Sequence, residues 1–406
     1  MSGQQGETAE QSIGEFTLAG SPGATRTTVA QAPRPDAEWE LPDGFANVYY
    51  GENNSGIRKP VLMADGFNLG RSDLDRLYLG LDGDFALLTE LRRRGRDVIL
   101  IGFDDRGASI LDNARTATHA ILRTIAEQQG DATLTVGGFS MGGIVTRYAL
   151  ARMESEGIDH RTELYFSYDS PHRGAVIPIG LQAFAHFIPV ANNFARQMNS
   201  SAARQMLWRH YDNESGTVRV DPEREKFLDA LMEVGGWPMR PRRIAVANGR
   251  GDGTGLDVPP GQVALASTGK LVYPGTTFFT QAEGHEVVVA ELKRLFPRGG
   301  KTIRTSGFPA LDGAPGGSLD SYGILGGMLK RFGATVDLRH ADVCFVPSVS
   351  AVAVRDLDQP EDLYASIDRM APQESELDEF LCSSETTGHT AITQELCTWL
   401  LDRLPN

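Results

Sequence analysis

The sequence predicts an α/β architecture, a mostly parallel central sheet flanked by helices. Three observations predict it. Strand-like and helix-like segments alternate from residue 45 to about residue 170, the rhythm of an α/β sheet. The run DVILIGF (97–103) is apolar almost throughout, as a strand buried on both faces requires. The segment 108–130 carries Ile110, Leu111, Ala114, Ile121, Leu122 and Ile125 at roughly helical spacing and ends on a glycine.

In chain order, FANVYYG (45–51) and KPVLMADGF (59–67) read as strands, and DFALLTELRRRG (84–95) as a helix closing on Gly95. The basic end of that helix (91–96) suits a solvated C-terminus, where cations complement the helix dipole. After 97–103 and 108–130 come the strand ATLTVGGF and the helix MGGIVTRYALARMESEG. TELYFSYD (162–169) and RRIAVANG (242–249) complete the core strands. No internal repeat is visible.

Bulk properties narrow the function classes. The 406 residues are 41% hydrophobic and 23% charged, enough apolar material for a sizeable core in one large domain with insertions or in two domains. A net charge of −14 argues against a nucleic-acid binder, which needs a basic face. Three cysteines (Cys344, Cys382, Cys397) give neither a disulfide framework nor a cysteine-rich zinc site and read as small core residues. No segment has the roughly 20 apolar residues of a membrane helix. Residues 1–38 are rich in Gly, Ser, Thr, Gln and Pro, without a basic start or an apolar run. They read as a disordered tail rather than a secretory signal, and the expected location is cytoplasmic.

The segment LTVGGFSMGGIV (134–145) crowds four glycines around Ser140. Gly138-Phe139-Ser140-Met141-Gly142 matches G-x-S-x-G between an expected strand and an expected helix, the context in which that motif means a nucleophile elbow. At so tight a turn the residues two before and two after the serine approach each other, and side chains there would clash. The serine is lifted clear of the sheet, and the exposed N–H groups of the helix start lie beneath developing negative charge.

On these residues the chain resembles the α/β-hydrolase superfamily over roughly residues 45–175, 242–260 and 380–404. Within it the chain looks most like the lipase-like serine esterases that include inositol deacylases of lipid anchors. VLMADGFNLG sits where such enzymes carry a strand followed by His-Gly-x, with Asp65 in place of the histidine. SYDSPHRGA (167–175) resembles the Ser-Pro-His-x-Gly segment after their sixth strand. The resemblance implies an α/β-hydrolase fold, a Ser-His-acid triad and an oxyanion hole made by the backbone N–H groups of Phe67 and Met141. It implies no cofactor and no metal.

The chemistry also follows from the residues. A serine hydroxyl needs a base, histidine suits near neutral pH, and a carboxylate must orient it. His389 precedes a final helix with Ile392, Leu396, Trp399, Leu400 and Leu404 on one face, where the fold places its histidine, and is the expected base. His285 is the rival, although Val287-Val288-Val289 after it favours a strand and a hairpin-tip position. His172 is expected to support the site or to stabilise its loop rather than to act as base. The expected acid is Asp252, just beyond the strand 242–249, with Asp342, Asp378 and Asp169 as alternatives.

The remaining organisation reads as a core over 39–175, a helical cap over 176–240, a core strand and acid loop over 241–261, a β-rich insertion over 262–340, and a closing core segment over 341–406. An apolar cap would shield a reacting ester from water and favour a small-molecule or lipid-like substrate. The expected activity is hydrolysis of carboxylic esters through an acyl-enzyme. Acyl transfer or thioester cleavage by the same nucleophile, and a non-catalytic hydrolase-like binding protein, are the alternatives. The oligomeric state is not legible.

Overall fold

The computed structural model describes residues 31–406, so most of the expected tail lies outside the described residues. Its stated end needs correction. Strand β1 (Ala37–Leu41) begins before residue 38, because Trp39 is buried there against the core. The next strands are β2 (Gly44–Tyr49), β3 (Pro60–Ala64), β4 (Asp97–Phe103), β5 (Leu134–Phe139) and β6 (Thr162–Tyr168). A short hairpin follows, β7 (His210–Asp212) with β8 (Thr217–Arg219), and then β9 (Arg242–Arg250). The chain continues through β10 (Val263–Ser267), β11 (Thr277–Phe279), β12 (Val287–Arg294), β13 (Gly299–Thr305) and β14 (Gly316–Leu319). It ends its strands with β15 (Val336–Leu338), β16 (Val343–Pro347) and β17 (Glu379–Ser383).

Eight strands form the central sheet in the order β1-β2-β4-β3-β5-β6-β9-β17. Only β2 runs against its neighbours, and every pairing from β4 to β17 is parallel. This is the α/β-hydrolase strand order. Both faces are covered, as a parallel sheet requires. Along β4, Ile99, Ile101 and Phe103 join one apolar cluster while Val98 and Leu100 join the other.

The flanking helices are α1 (Leu74–Leu81), α2 (Leu87–Arg93), α3 (Ile110–Glu127) and α4 (Met141–Ser155). Helix α4 is buried along nearly its whole length, so its small residues Gly142, Gly143 and Ala149 let it lie close to the sheet. Residues 176–240 hold four further helices, α5 (Ile179–Phe187), α6 (Asn193–Met198), α7 (Ser201–Met206) and α8 (Pro222–Glu233), besides the β7–β8 hairpin. Between 262 and 340 a second, antiparallel sheet forms in the order β13-β12-β11-β10-β15. It packs on α9 (Ser321–Arg331) through Leu325 and Leu329. Helix α10 (Gln394–Leu401) closes the core. Among the described residues no helix is long and apolar enough to cross a membrane.

Candidate active site

Ser140 lies between β5 and α4 at φ 52°, ψ −125°, a conformation that L-residues avoid. The turn is as tight as the motif requires. A Cβ on Gly138 would fall 2.4 Å from the Gly142 carbonyl carbon, and one on Gly142 would fall 2.2 Å from the Ala64 carbonyl oxygen. Such strain costs about 1–3 kcal/mol per residue and persists only where the surroundings impose it. Here the Ser140 N–H donates to the Tyr168 carbonyl at 2.9 Å, which ties the elbow to the end of β6.

Asp169 is the residue after Tyr168 and also has a left-handed φ, 50°. Its Oδ2 accepts from His389 Nδ1 at 2.6 Å, and its Oδ1 accepts from the Asn248 N–H at 3.0 Å. Both side chains of the pair are buried, at 0% and 1% exposure. His389 is fixed from three sides. Its backbone N–H donates to the Ser318 carbonyl at 2.7 Å, its ring meets Phe345 edge-on at 4.8 Å, and Thr390 after it turns through φ 57°. A carboxylate can only accept, so His389 Nδ1 carries the proton and Nε2 presents its lone pair. His389 Nε2 and Ser140 Oγ are both buried and neither has a hydrogen-bond partner among the described residues.

Asp252, the expected acid, is not brought to His389. It sits in an exposed loop bound to the guanidinium of its neighbour Arg250 and to the Thr254 N–H. That ion pair holds its carboxyl well below the usual range. The physical reason is local: two residues after Arg250, Asp252 is satisfied by the turn that it caps. Of the alternatives, Asp342 is exposed and Asp378 forks onto Arg243, whereas Asp169 holds the imidazole. His285 is exposed in the turn before β12.

Met141 opens α4, so its N–H has no intrahelical acceptor. The Phe67 N–H likewise donates to no group among the described residues. The loop carrying it is held by Asp65, whose buried Oδ1 accepts from the Gly66 N–H at 2.7 Å. Burial raises the Asp65 carboxyl above its usual pKa, and Arg106 Nη1 stands 3.6 Å from Oδ2. Arg106 also donates to the Leu69 and Gly70 carbonyls, at 3.2 and 3.4 Å. Sequence reasoning missed Arg106.

His172 is buried against Ser167, Arg147 and Trp237. Its Nε2 is 2.9 Å from Ser167 Oγ, its Nδ1 is 3.4 Å from Arg147 Nη1, and its ring stacks near Trp237 at 4.8 Å. Burial, reinforced by Arg147, pushes its pKa well below 6.5.

Residues 176–240 meet this edge of the sheet. The Val176 N–H donates to the Phe345 carbonyl at 2.8 Å, and the Ala202 N–H to the Gly107 carbonyl at 3.1 Å. Gln205 Oε1 accepts from the Ile110 N–H at 2.8 Å. Ser140 is completely shielded from solvent.

No family model matches the chain, and no curated protein matches it. Among solved structures, the mature lipase of Bacillus licheniformis is similar at 13% identity, with 49% of this chain and 71% of that one covered and a TM-score of 0.30. A bacterial heroin esterase is similar at 13% identity over 60% of this chain and 71% of that one, with a TM-score of 0.33. A thermophilic carboxylesterase cloned from a metagenomic library is similar at 13% identity over 60% and 83%, with a TM-score of 0.31.

Proposed function

We propose that the chain is a serine hydrolase that cleaves carboxylic esters through an acyl-enzyme, with Ser140, His389 and Asp169 as its triad. The observation that carries this reading is the buried His389–Asp169 pair, whose free Nε2 is an unpartnered base on the strand edge that also bears the strained Ser140. Asp169 replaces Asp252 in the role read from the sequence.

The steps follow from those groups. His389 Nε2 takes the Ser140 proton as Oγ attacks the ester carbonyl, and the carbonyl π electrons move onto its oxygen. The Met141 and Phe67 N–H groups receive that oxyanion, each worth about 2.7–4 kcal/mol at the transition state. The imidazolium, stabilised by Asp169, returns its proton to the leaving alcohol as the C–O bond breaks. Water repeats the sequence on the acyl-enzyme and releases the acid. The apolar Phe345 ring beside the imidazole favours a hydrophobic acyl group.

A fluorophosphonate probe tests the reading. It should label the wild-type chain once, on Ser140, and Ser140→Ala should neither label nor turn over nitrophenyl esters, a loss of about 10⁴-fold or more. An unlabelled wild type, or equal labelling of the variant, sinks it.

A further inference from the structure

The connections β10–β11 and β12–β13 project from the same end of the second sheet. β11 runs antiparallel to both β10 and β12, so the end of β10, the start of β11 and the end of β12 meet there. Thr276 Oγ1 donating to the Lys293 carbonyl at 2.9 Å joins the two connections. Their tips carry Phe296, 87% exposed, and Leu271, 82% exposed, the two most exposed large apolar side chains among the described residues. Leu295 adds a third at 40%. A single exposed leucine needs no explanation, but adjacent tips that both hold their apolar groups in water do.

Charge surrounds them. Four of the chain's six lysines (Lys270, Lys293, Lys301 and Lys330) belong to this sheet or its helix, in a chain of net charge −14. Lys270 and Arg298 sit on the tips beside Leu271 and Phe296. Lys330 and Arg331 end α9, which leads back to the same edge, where the Thr268 N–H donates to the Thr335 carbonyl at 2.8 Å. Among the described residues Lys270, Arg298, Lys330 and Arg331 have no ion-pair partner. The acidic groups at this end are engaged, Glu291 with Lys293 at 3.6 Å and Asp337 with Arg339 at 2.9 Å. Arg294 is spent on the Pro297 and Phe187 carbonyls, which fixes the turn to α5 of the cap.

We propose that these two tips are a docking surface for an anionic lipid bilayer. Phe296 and Leu271 enter the boundary between headgroups and acyl chains, and the unpaired cations face lipid phosphates. The pairing of protruding apolar groups with a basic collar, on an otherwise acidic molecule, selects this partner over a soluble apolar ligand, which needs concavity, and over neutral lipid, which needs no cations. The inference uses none of the groups assigned to catalysis, and it adds to the ester-hydrolase reading where that substrate is met.

Flotation of the full chain tests it, with vesicles of phosphatidylcholine alone or with about 30 mol% phosphatidylglycerol. The wild type should float with the anionic vesicles, remain behind with the neutral ones, and be released at about 0.5 M salt, where surface charges are screened. Phe296→Ser with Leu271→Ser, and separately Lys270→Glu with Arg298→Glu, should each weaken partitioning about tenfold or more. Their urea melts and turnover of a water-soluble nitrophenyl ester should stay as in wild type, because these side chains pack on nothing. Ser140→Ala should float normally, so loss of catalysis and loss of docking are separable. Failure of the wild type to float, or tip variants that float like wild type, overturns the proposal.

Discussion

Two buried histidines sit against β6 and its end, and the groups on their ring nitrogens give them opposite chemistry. In Ser167–His172 the two side chains are in contact at 2.9 Å, whereas Ser140 and His389 make no hydrogen bond to each other. Contact distance alone would favour the first pair as nucleophile and base. What decides is the group on the far nitrogen. Arg147 can only donate, so His172 Nδ1 must accept, Nε2 must carry the proton, and the imidazole donates to Ser167. Such a histidine cannot take the hydroxyl proton. Asp169 can only accept, so His389 keeps its proton on Nδ1 and offers Nε2 as a base. The neighbouring charge also sets the cost of ionisation. An imidazolium at 389 faces a carboxylate, whereas one at 172 would face a guanidinium that stays cationic although burial lowers its pKa to about 9.

The largest effect should therefore come from changing the far partner of His389. Asp169→Asn keeps the shape but lets an amide donate to Nδ1, which forces the wrong tautomer. We expect kcat on nitrophenyl esters to fall about 10³–10⁴-fold with little change in KM. Asp252→Asn should stay within about twofold, since that carboxylate serves only its own loop and Arg250. A large loss from Asp252→Asn with none from Asp169→Asn would return the acid to the position read from the sequence.

That reversal shows where sequence reasoning stops. The elbow was legible because G-x-S-x-G states a backbone constraint in side-chain language: Gly138 and Gly142 are glycines since no Cβ fits there. His389 was read as the base because it precedes an amphipathic helix at the end of the core, and the structure puts its Nδ1 on a buried carboxylate. The carboxylate bonded to His389 was not legible, since carboxylates end several strands and only three-dimensional placement puts Asp169 rather than Asp252 on the imidazole. β17 was missed for a related reason. EFLCS is short and half-exposed, and its strand character comes from pairing with β9 rather than from its own pattern.

A smaller effect on activity should follow from His172→Phe, and it would mark that residue as structural. The variant keeps an aromatic ring on Trp237 but strands Arg147 Nη1 and Ser167 Oγ, and we expect a stability loss of about 2–4 kcal/mol in urea melts. Turnover at low temperature, where the variant stays folded, should remain within about threefold of wild type. The pH dependence sharpens the test. His172 has a folded pKa well below 6.5, so the unfolded chain binds a proton there that the native chain does not. Wild-type stability contributed by this residue is thus complete above about pH 7 and is lost as pH falls below 6.5, by at most about 1.4 kcal/mol per pH unit. The gap between wild type and His172→Phe should accordingly narrow from pH 7.5 to pH 5.5. A gap that widens on acidification would mean that His172 is protonated in the native state.

The smallest effect belongs to Ser167→Ala, and it separates the two pairs most cleanly. Alanine keeps the Cβ that lies against α4, where a Cβ on Gly143 would come within 2.9 Å of it, so packing beside the elbow is unchanged. Only the hydroxyl that receives the His172 Nε2–H is lost, which leaves one buried donor unsatisfied at a cost of about 1–2 kcal/mol. Fluorophosphonate labelling of Ser140 should proceed at the wild-type rate, because no proton in the proposed reaction passes through residue 167. A labelling rate that collapsed in Ser167→Ala while the chain stayed folded would put the reactive serine one strand away, and the tautomer argument that distinguishes Arg147 from Asp169 would fall with it.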